Sequence, residues 1–352
     1  MDEAKDILFS MEPGKLKAFV TKQGEPGFRA TQLFSWFHDK RVQTYGQMTN
    51  LPKTFRQKLE EVSPLSWIRQ ANVQESQEDG TRKYLFALWD GQMIESVLMR
   101  YSYGCSVCVS SQAGCAMGCK FCASTIGGFV RNLTTEEMLQ QVYSIDRDLP
   151  EKERISHIVV MGTGEPLLNL EQVLSFIRIL SDEAGMHISK RNITVSTCGV
   201  VPEIYHLAEE KLPITLALSL HAPTQEQRRQ IMPIADTYPL TEVIKATKDY
   251  FLKTGRRVTY EYALIRDFND RREDARGLCE LLRDSGSHVN LIALNAVEEL
   301  SLRAPESTEI QKFAGWLKEG GINATVRRSL GADIDGACGQ LRKKFSDAWN
   351  DR

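Results

Sequence analysis

Five of the eight cysteines fall between Cys105 and Cys122, and three of these form the run Gly114-Cys115-Ala-Met-Gly-Cys119-Lys-Phe-Cys122. Three thiolates in a C-x3-C-x2-C spacing on one short loop can hold three irons of a [4Fe–4S] cluster. The fourth iron then has no protein ligand and is open to a small molecule. A zinc site completed by Cys105 or Cys108 is the competing reading. Zinc knuckles usually pair two C-x2-C units across a longer loop, which this spacing fits poorly. Two other cysteines stand apart. Cys108 lies seven residues before Cys115, and Cys338 sits on the glycine-bracketed stretch Gly331 to Leu341. Cys198 and Cys279 read as small buried hydrophobes, and Cys105 as a loop or strand cysteine.

Such residues need a frame. Apolar runs predict strands at 106–111, 155–161, 192–197, 214–220, 258–264 and 289–294, with helices at 134–148, 170–184, 202–211, 240–253 and 271–284. Six β/α steps in series predict an α/β fold with a parallel sheet, closed as a partial (β/α)6 barrel. A last helix at 306–319 stops at Gly320-Gly321, and a strand follows from Ala324 to Arg328. Ahead of the barrel, residues 1–80 read as a small helical accessory module, a candidate RNA-binding domain. Residues 81–100 read as a β-hairpin extension around Asp90-Gly91. The barrel occupies 101–300, and a C-terminal segment, 301–352, carries Cys338. Barrel sites lie at the C-terminal strand ends. Candidate ligand-contacting residues, most of them polar, collect there: Gly164 and Glu165 after the second strand, Ser196 at the third, Ser219, Leu220 and His221 at the fourth, and Asn295 after the sixth.

The cysteine spacing is similar to the signature of radical SAM enzymes, which use S-adenosylmethionine (SAM). MGTGEPLLN, SLHAP, RRVTYEYALI and the segments around Cys108 and Cys338 resemble the RlmN/Cfr family of radical SAM RNA methyltransferases over essentially the whole chain. The resemblance implies that Cys115, Cys119 and Cys122 hold the cluster. It implies that Gly164, Glu165, Ser196, Ser219, Leu220, His221 and Asn295 contact SAM, with Glu165 able to receive its ammonium. Cys338 matches a cysteine methylated on sulfur, Cys108 a second catalytic cysteine, and Glu95 a proton acceptor. Taken alone, Glu95 reads as a solvent-facing hairpin residue.

The implied chemistry accounts for two cysteines. Carbon 2 of adenine is electrophilic and cannot attack the methyl group of SAM. One SAM therefore methylates Cys338, and a second supplies the 5′-deoxyadenosyl radical that takes hydrogen from that methyl. The methylene joins the base, and Cys108 releases it, leaving a Cys108–Cys338 disulfide. Implied substrates are adenine 2503 of 23S rRNA and adenine 37 of some tRNAs. An electron donor such as flavodoxin or ferredoxin and a monomeric state are also implied. Pro166 and the run Cys122-Ala-Ser-Thr-Ile-Gly-Gly128 look more like the RlmN side. The alternative is a Cfr-like enzyme acting on carbon 8 and conferring antibiotic resistance. A zinc-stabilised RNA-binding module would explain neither Cys338 nor the polar strand ends.

Composition sets the outer bounds. The chain has 352 residues, 42% of them apolar and 26% charged, which is globular composition. Its 44 basic and 46 acidic residues give a net charge of −2, so any RNA-binding surface must be local. Lys190-Arg191, Lys253 with Arg256-Arg257, Arg327-Arg328 and Arg342-Lys343-Lys344 are the candidate patches. No apolar run has the length of a membrane span. The opening MDEAKDILFS is too polar for a secretory signal, so the expected location is the cytoplasm.

Overall fold

The computed structural model describes residues 7–283, 287–294 and 302–334. Twelve strands are present among them: β1 Arg69–Glu75, β2 Arg82–Ala87, β3 Met93–Tyr101, β4 Gly104–Cys108, β5 Gln112–Gly114, β6 Phe129–Asn132, β7 Ile155–Val160, β8 Ile193–Thr197, β9 Thr215–Ser219, β10 Val258–Leu264, β11 His288–Ala293 and β12 Asn323–Val326. Ten form one sheet in the order β1-β2-β3-β4-β7-β8-β9-β10-β11-β12. From β4 to β12 every pairing is parallel. The crossovers are helical: α4 Thr135–Arg147, α5 Leu170–Leu180, α6 Val201–Glu209, α7 Gln225–Ile231, α8 Leu240–Thr254, α9 Arg272–Leu281 and α10 Ser307–Glu319. This is the expected barrel wall with a seventh parallel strand, because β12 adds beside β11.

Strand alternation sorts the side chains. Val107, Ile158, Val160, Val195, Leu216, Leu218, Tyr260 and Leu291 belong to the buried core shared with the helices. Cys108, Val159, Ser196, Ser219, Glu261 and Ile292 lie on the opposite, concave face, where they line a cavity. Helix starts follow local chemistry. Thr134 accepts from the Glu137 amide while Glu137 returns a bond to the Thr134 amide, a capping box that opens α4.

β1, β2 and β3 extend the sheet by antiparallel pairing. Val97 of β3 stands opposite Cys108, and Tyr101 opposite Gly104. The turn between β2 and β3 therefore projects past the C-terminal ends of the parallel strands. β1 and β12 are the two free edges, and they are joined by a clasp rather than by strand pairing. Asp333 accepts from Ser76 Oγ (2.5 Å) and the Gln77 amide (2.8 Å), and the Gly331 amide donates to Asp79 (2.9 Å).

Three differences from the expectation have physical causes. The strand read as 106–111 ends at Cys108. Residues 112–114 leave the sheet to pair with β6. β1 lies inside the segment read as helical; its sequence, RQANVQE, has too few apolar residues to alternate. α7 is short and polar, QEQRRQI. The N-terminal helices α1 Pro13–Lys22, α2 Phe28–His38 and α3 Lys53–Val62 share the same core. His38 Nδ1 lies 2.9 Å from the Tyr143 hydroxyl on α4.

Candidate active site

A cavity of about 330 Å³ opens at the C-terminal ends of the parallel strands. Cys108, Ser196, Ser219 and His221 line it together with Val97 and Met161. Arg327 to Leu330 form part of the wall, brought round by the clasp. Sequence separation between Val97 and Leu330 is spanned by the curl of the sheet.

The cysteine loop is bracketed by β5 and β6. The Cys115 amide donates to Gly128 O (3.0 Å), and a Cβ at Gly114 would stand 2.0 Å from that same oxygen. Only glycine permits this closure. The loop rests on the end of α7: the Lys120 amide donates to Ile231 O at 2.9 Å. Cys115 and Cys119 are buried and Cys122 is half-buried. Burial is the first cause that drives the Cys119 thiol far above its ordinary pKa, and the neighbouring Cys122, Cys115 and Glu165 add to it. Metal ligation would require the Cys119 thiol to give up that proton.

Among the described residues no three His, Cys, Asp or Glu side chains converge tightly enough for one metal ion. Three corners of an iron–sulfur cube need wider spacing than the ligands of a single ion. A further observation concerns charge. Arg228 on α7 is fully buried, with Nε and Nη1 unpaired among the described residues, and it lies in the field of Cys119 and Cys198. A buried cation beside the thiols fits an anionic group at this loop. The three cysteines could hold a thiolate-bound cluster there.

The Gly162–Glu165 loop after β7 is fastened to the chain leading into the cysteines. Thr163 O accepts from the Ser111 and Gln112 amides (3.0 and 3.1 Å), and the Glu165 amide donates to Gln112 Oε1 (2.8 Å). Gly164 has φ +114°, and a Cβ there would come 2.6 Å from Gln112 Cβ. Glu165 is buried, which raises its pKa. Its oxygens accept from the Cys198 amide (2.7 Å) and the Leu167 amide (3.1 Å), which act the other way. Two acceptor positions are thus used in bracing β8 to this loop, and a carboxylate has room for further donors.

His221 is buried with φ +55°. Burial, and then Arg228, push its pKa down to about 3. The Ala263 amide donates to Nδ1 at 2.9 Å, so Nε2 carries the proton of the neutral ring. Phe121 of the cysteine loop packs edge-on against it, with centroids 4.6 Å apart. Ser196 Oγ donates to Val160 O at 3.1 Å. Leu220 is fully buried in the core, so any contact it makes with a ligand is through its backbone. Asn295 and Cys338 lie outside the described residues.

Glu95 is not solvent-facing. It is 3% exposed on β3, and Lys83 Nζ of β2 lies 3.1 Å from its Oε2. Both residues sit on the same face as Val97, which lines the cavity. Cys105 belongs to the opposite face of β4 from Cys108, within the core, with Sγ 3.4 Å from Glu153. Cys198 is buried as expected, whereas Cys279 is half-buried.

Sequence reasoning missed Lys83, Arg228 and Glu261. Each is a charged residue that the fold buries. Glu261 is held by Asn290 Nδ2 (2.8 Å), has Arg327 at 3.9 Å, and its pKa is raised by burial. The signal was available for Glu261: a lone charge inside the apolar strand VTYEYAL is seldom buried without a partner. The basic patches divide by position. Lys190-Arg191 precedes β8, and Lys253 with Arg256-Arg257 precedes β10, on the face away from the cavity. Arg327-Arg328 follows β12 and lines the cavity. Residues 342–344 lie outside the described residues.

Comparison with known proteins matches residues 109–282 to the radical SAM superfamily and residues 7–65 to the ribosomal RNA large subunit methyltransferase N-terminal domain. A "Probable dual-specificity RNA methyltransferase RlmN" of Symbiobacterium thermophilum is 52% identical over 91% of this chain and 87% of its own. A protein of the same description from Clostridioides difficile is 47% identical over 98% of this chain and 100% of its own. The crystal structure of a radical SAM methyltransferase from Sphaerobacter thermophilus superimposes with a TM-score of 0.90 at 43% identity, covering 95% of this chain and 98% of that one.

Proposed function

The chain belongs to the RlmN family of radical SAM RNA methyltransferases, and from that premise we propose that it methylates carbon 2 of adenine in RNA, at adenine 2503 of 23S rRNA and adenine 37 of tRNA. The observation that carries this reading is the cavity itself. It gathers Cys108, Ser196, Ser219 and His221 at the strand ends, with Phe121 of the cysteine loop packed on His221.

Cys115, Cys119 and Cys122 would hold the cluster. Gly164, Glu165, Ser196, Ser219, the Leu220 backbone, His221 and Asn295 would seat SAM. When bound, the cluster and SAM supply a methyl group and, on reduction by a donor such as flavodoxin or ferredoxin, a 5′-deoxyadenosyl radical, with two SAM used per turnover. The protein's own groups do the rest. Neutral His221 donates from Nε2. Cys338 carries the methyl on sulfur, and its methylene joins carbon 2 of the base. Glu95, held by Lys83, takes the carbon-2 proton as the radical adduct gives up one electron, for which the bound cluster would be the acceptor. The Cys108 thiolate then attacks the Cys338 sulfur; the S–C bond breaks with its electron pair left on the methylene, which takes up a proton to become the methyl group, and the disulfide that forms is reset by a thiol reductant. Leu330 is on the cavity wall. Eight residues of chain lead from it to Cys338, a reach of at most roughly 28 Å.

RNA would meet the rim of the mouth. Arg328 is exposed there. Trp89, at the projecting turn, is 81% exposed, with the Arg131 guanidinium 5.5 Å from its ring. Exposed aromatic rings and cations are what an unstacked RNA strand recognises. The test is mass spectrometry of nucleosides after anaerobic turnover on rRNA and tRNA. 2-Methyladenosine supports the reading. 8-Methyladenosine would place the enzyme on the Cfr-like side, and no methylated adenosine would refute it.

A further inference from the structure

Arg228 lies on the last turn of α7, fully buried, with its guanidinium against the ends of two barrel strands. Nη2 donates to Cys198 O at 2.6 Å and to Ser219 O at 3.1 Å. A guanidinium has five N–H groups. The remaining three, on Nε and Nη1, have no partner among the described residues, and no carboxylate among them pairs with this cation. Isolated buried charge is strongly unfavourable, and unmet buried donors add to the cost. A fold that keeps such a group is completed by something anionic.

The geometry says where that anion sits. Ile231, one helical turn after Arg228, receives the Lys120 amide, and Pro233 lies beneath Gly118. The cysteine loop is therefore seated directly on the turn that carries Arg228.

We propose that Arg228 is a positioning residue for the iron–sulfur cluster: its fixed charge offsets that of the thiolate-bound cluster and raises the cluster's reduction potential. The inference rests on the radical SAM reading of the three cysteines. Its physics is simple. Reduction adds one electron, hence one negative charge, to a group beside a permanent cation. Arginine does not deprotonate in proteins, so the effect persists at every working pH. Net charge and hydrogen bonds around the sulfurs are the levers by which proteins set such potentials.

The test compares R228M, R228Q and R228K with the parent protein, each carrying a reconstituted cluster, in the absence of SAM and RNA. Iron and sulfide are counted first. The midpoint potential is then measured by a titration followed by electron paramagnetic resonance. R228M and R228Q should titrate at more negative potential than the parent, and R228K should remain near it. A purely structural arginine would give variants that lose cluster or stability in step while the remaining cluster keeps its midpoint. If R228M fails to fold, R228Q against R228K decides the matter. Unchanged midpoints in variants with full iron content, or an R228K shift as large as that of R228Q, would overturn the proposal. A parent protein that takes up no iron would refute the reading of the cysteines and leave no cluster for Arg228 to act on.

Discussion

Replacing Lys83 with Met breaks the ion pair with Glu95 while preserving most of the side-chain volume. Nζ and Oε2 are 3.1 Å apart, and the two side chains are 0% and 4% exposed. At an effective dielectric of about 20, the gross attraction at this distance is about 5 kcal/mol. Breaking one partner of a buried pair costs about 3–5 kcal/mol, because the other charge is stranded. The two figures agree. For a chain of 352 residues, each kcal/mol moves the melting midpoint by roughly 1.4 °C, so K83M should melt roughly 4–7 °C lower. K83M/E95L carries no stranded charge and should recover most of the loss, since a buried pair is often replaced by apolar residues at no net cost. The assay is thermal melting and denaturant titration of parent, single and double variants. A K83M protein within about 1 kcal/mol of the parent, or a double variant no better than K83M, would refute the stranded-charge argument. Retained RNA methylation by E95L, in a protein that still cleaves SAM, would remove Glu95 from the proton-acceptor role.

Three further outcomes are expected. C119A should lose iron and all reductive SAM cleavage; iron near the parental level would sink the cluster assignment. G164A places a Cβ 2.6 Å from Gln112 Cβ at φ +114°, and backbone strain of this kind costs about 1–3 kcal/mol. SAM affinity measured by equilibrium binding should fall about tenfold or more, and an unchanged dissociation constant would contradict the role of that loop. His38 has its pKa pushed down to about 3 by burial. Unfolded chains take up the proton near pH 6.5 and the folded protein does not, so this stability is complete above about pH 6.5 and is lost as pH falls toward 3. The slope is up to about 1.4 kcal/mol per pH unit. H38Q should flatten the acid limb of urea-derived stability between about pH 4 and 6 by that amount; an unaltered slope contradicts the assignment.

The barrel was legible because its strands are apolar runs separated by amphipathic helices, a pattern that survives without tertiary information. The hairpin was legible from Asp90-Gly91 alone. β1 was not, because its pairing with β2 compensates for a polar sequence. Nor was the clasp, whose bonds join Ser76 and Asp79 to residues some 250 positions away. At the site, cysteine spacing singled out the loop between β5 and β6, but Glu95 looked exposed until Lys83 was placed beside it. Arg228 looked like any arginine on a polar helix. Burial of a charge depends on what the chain brings over it, which local pattern does not record. Charge alone does not sort the basic pairs either: position in the β/α order decides which of the described ones face the cavity.

The most direct test of the account is C108A under anaerobic turnover with substrate RNA. If Cys108 resolves the adduct on Cys338, the variant should still join carbon to adenine and then stop. A covalent protein–RNA species should accumulate that survives both denaturant and reductant, because its link is a C–S bond and not a disulfide. It should be absent from C108A/C338A. Normal turnover by C108A, or a dead enzyme that forms no cross-link, would contradict the mechanism.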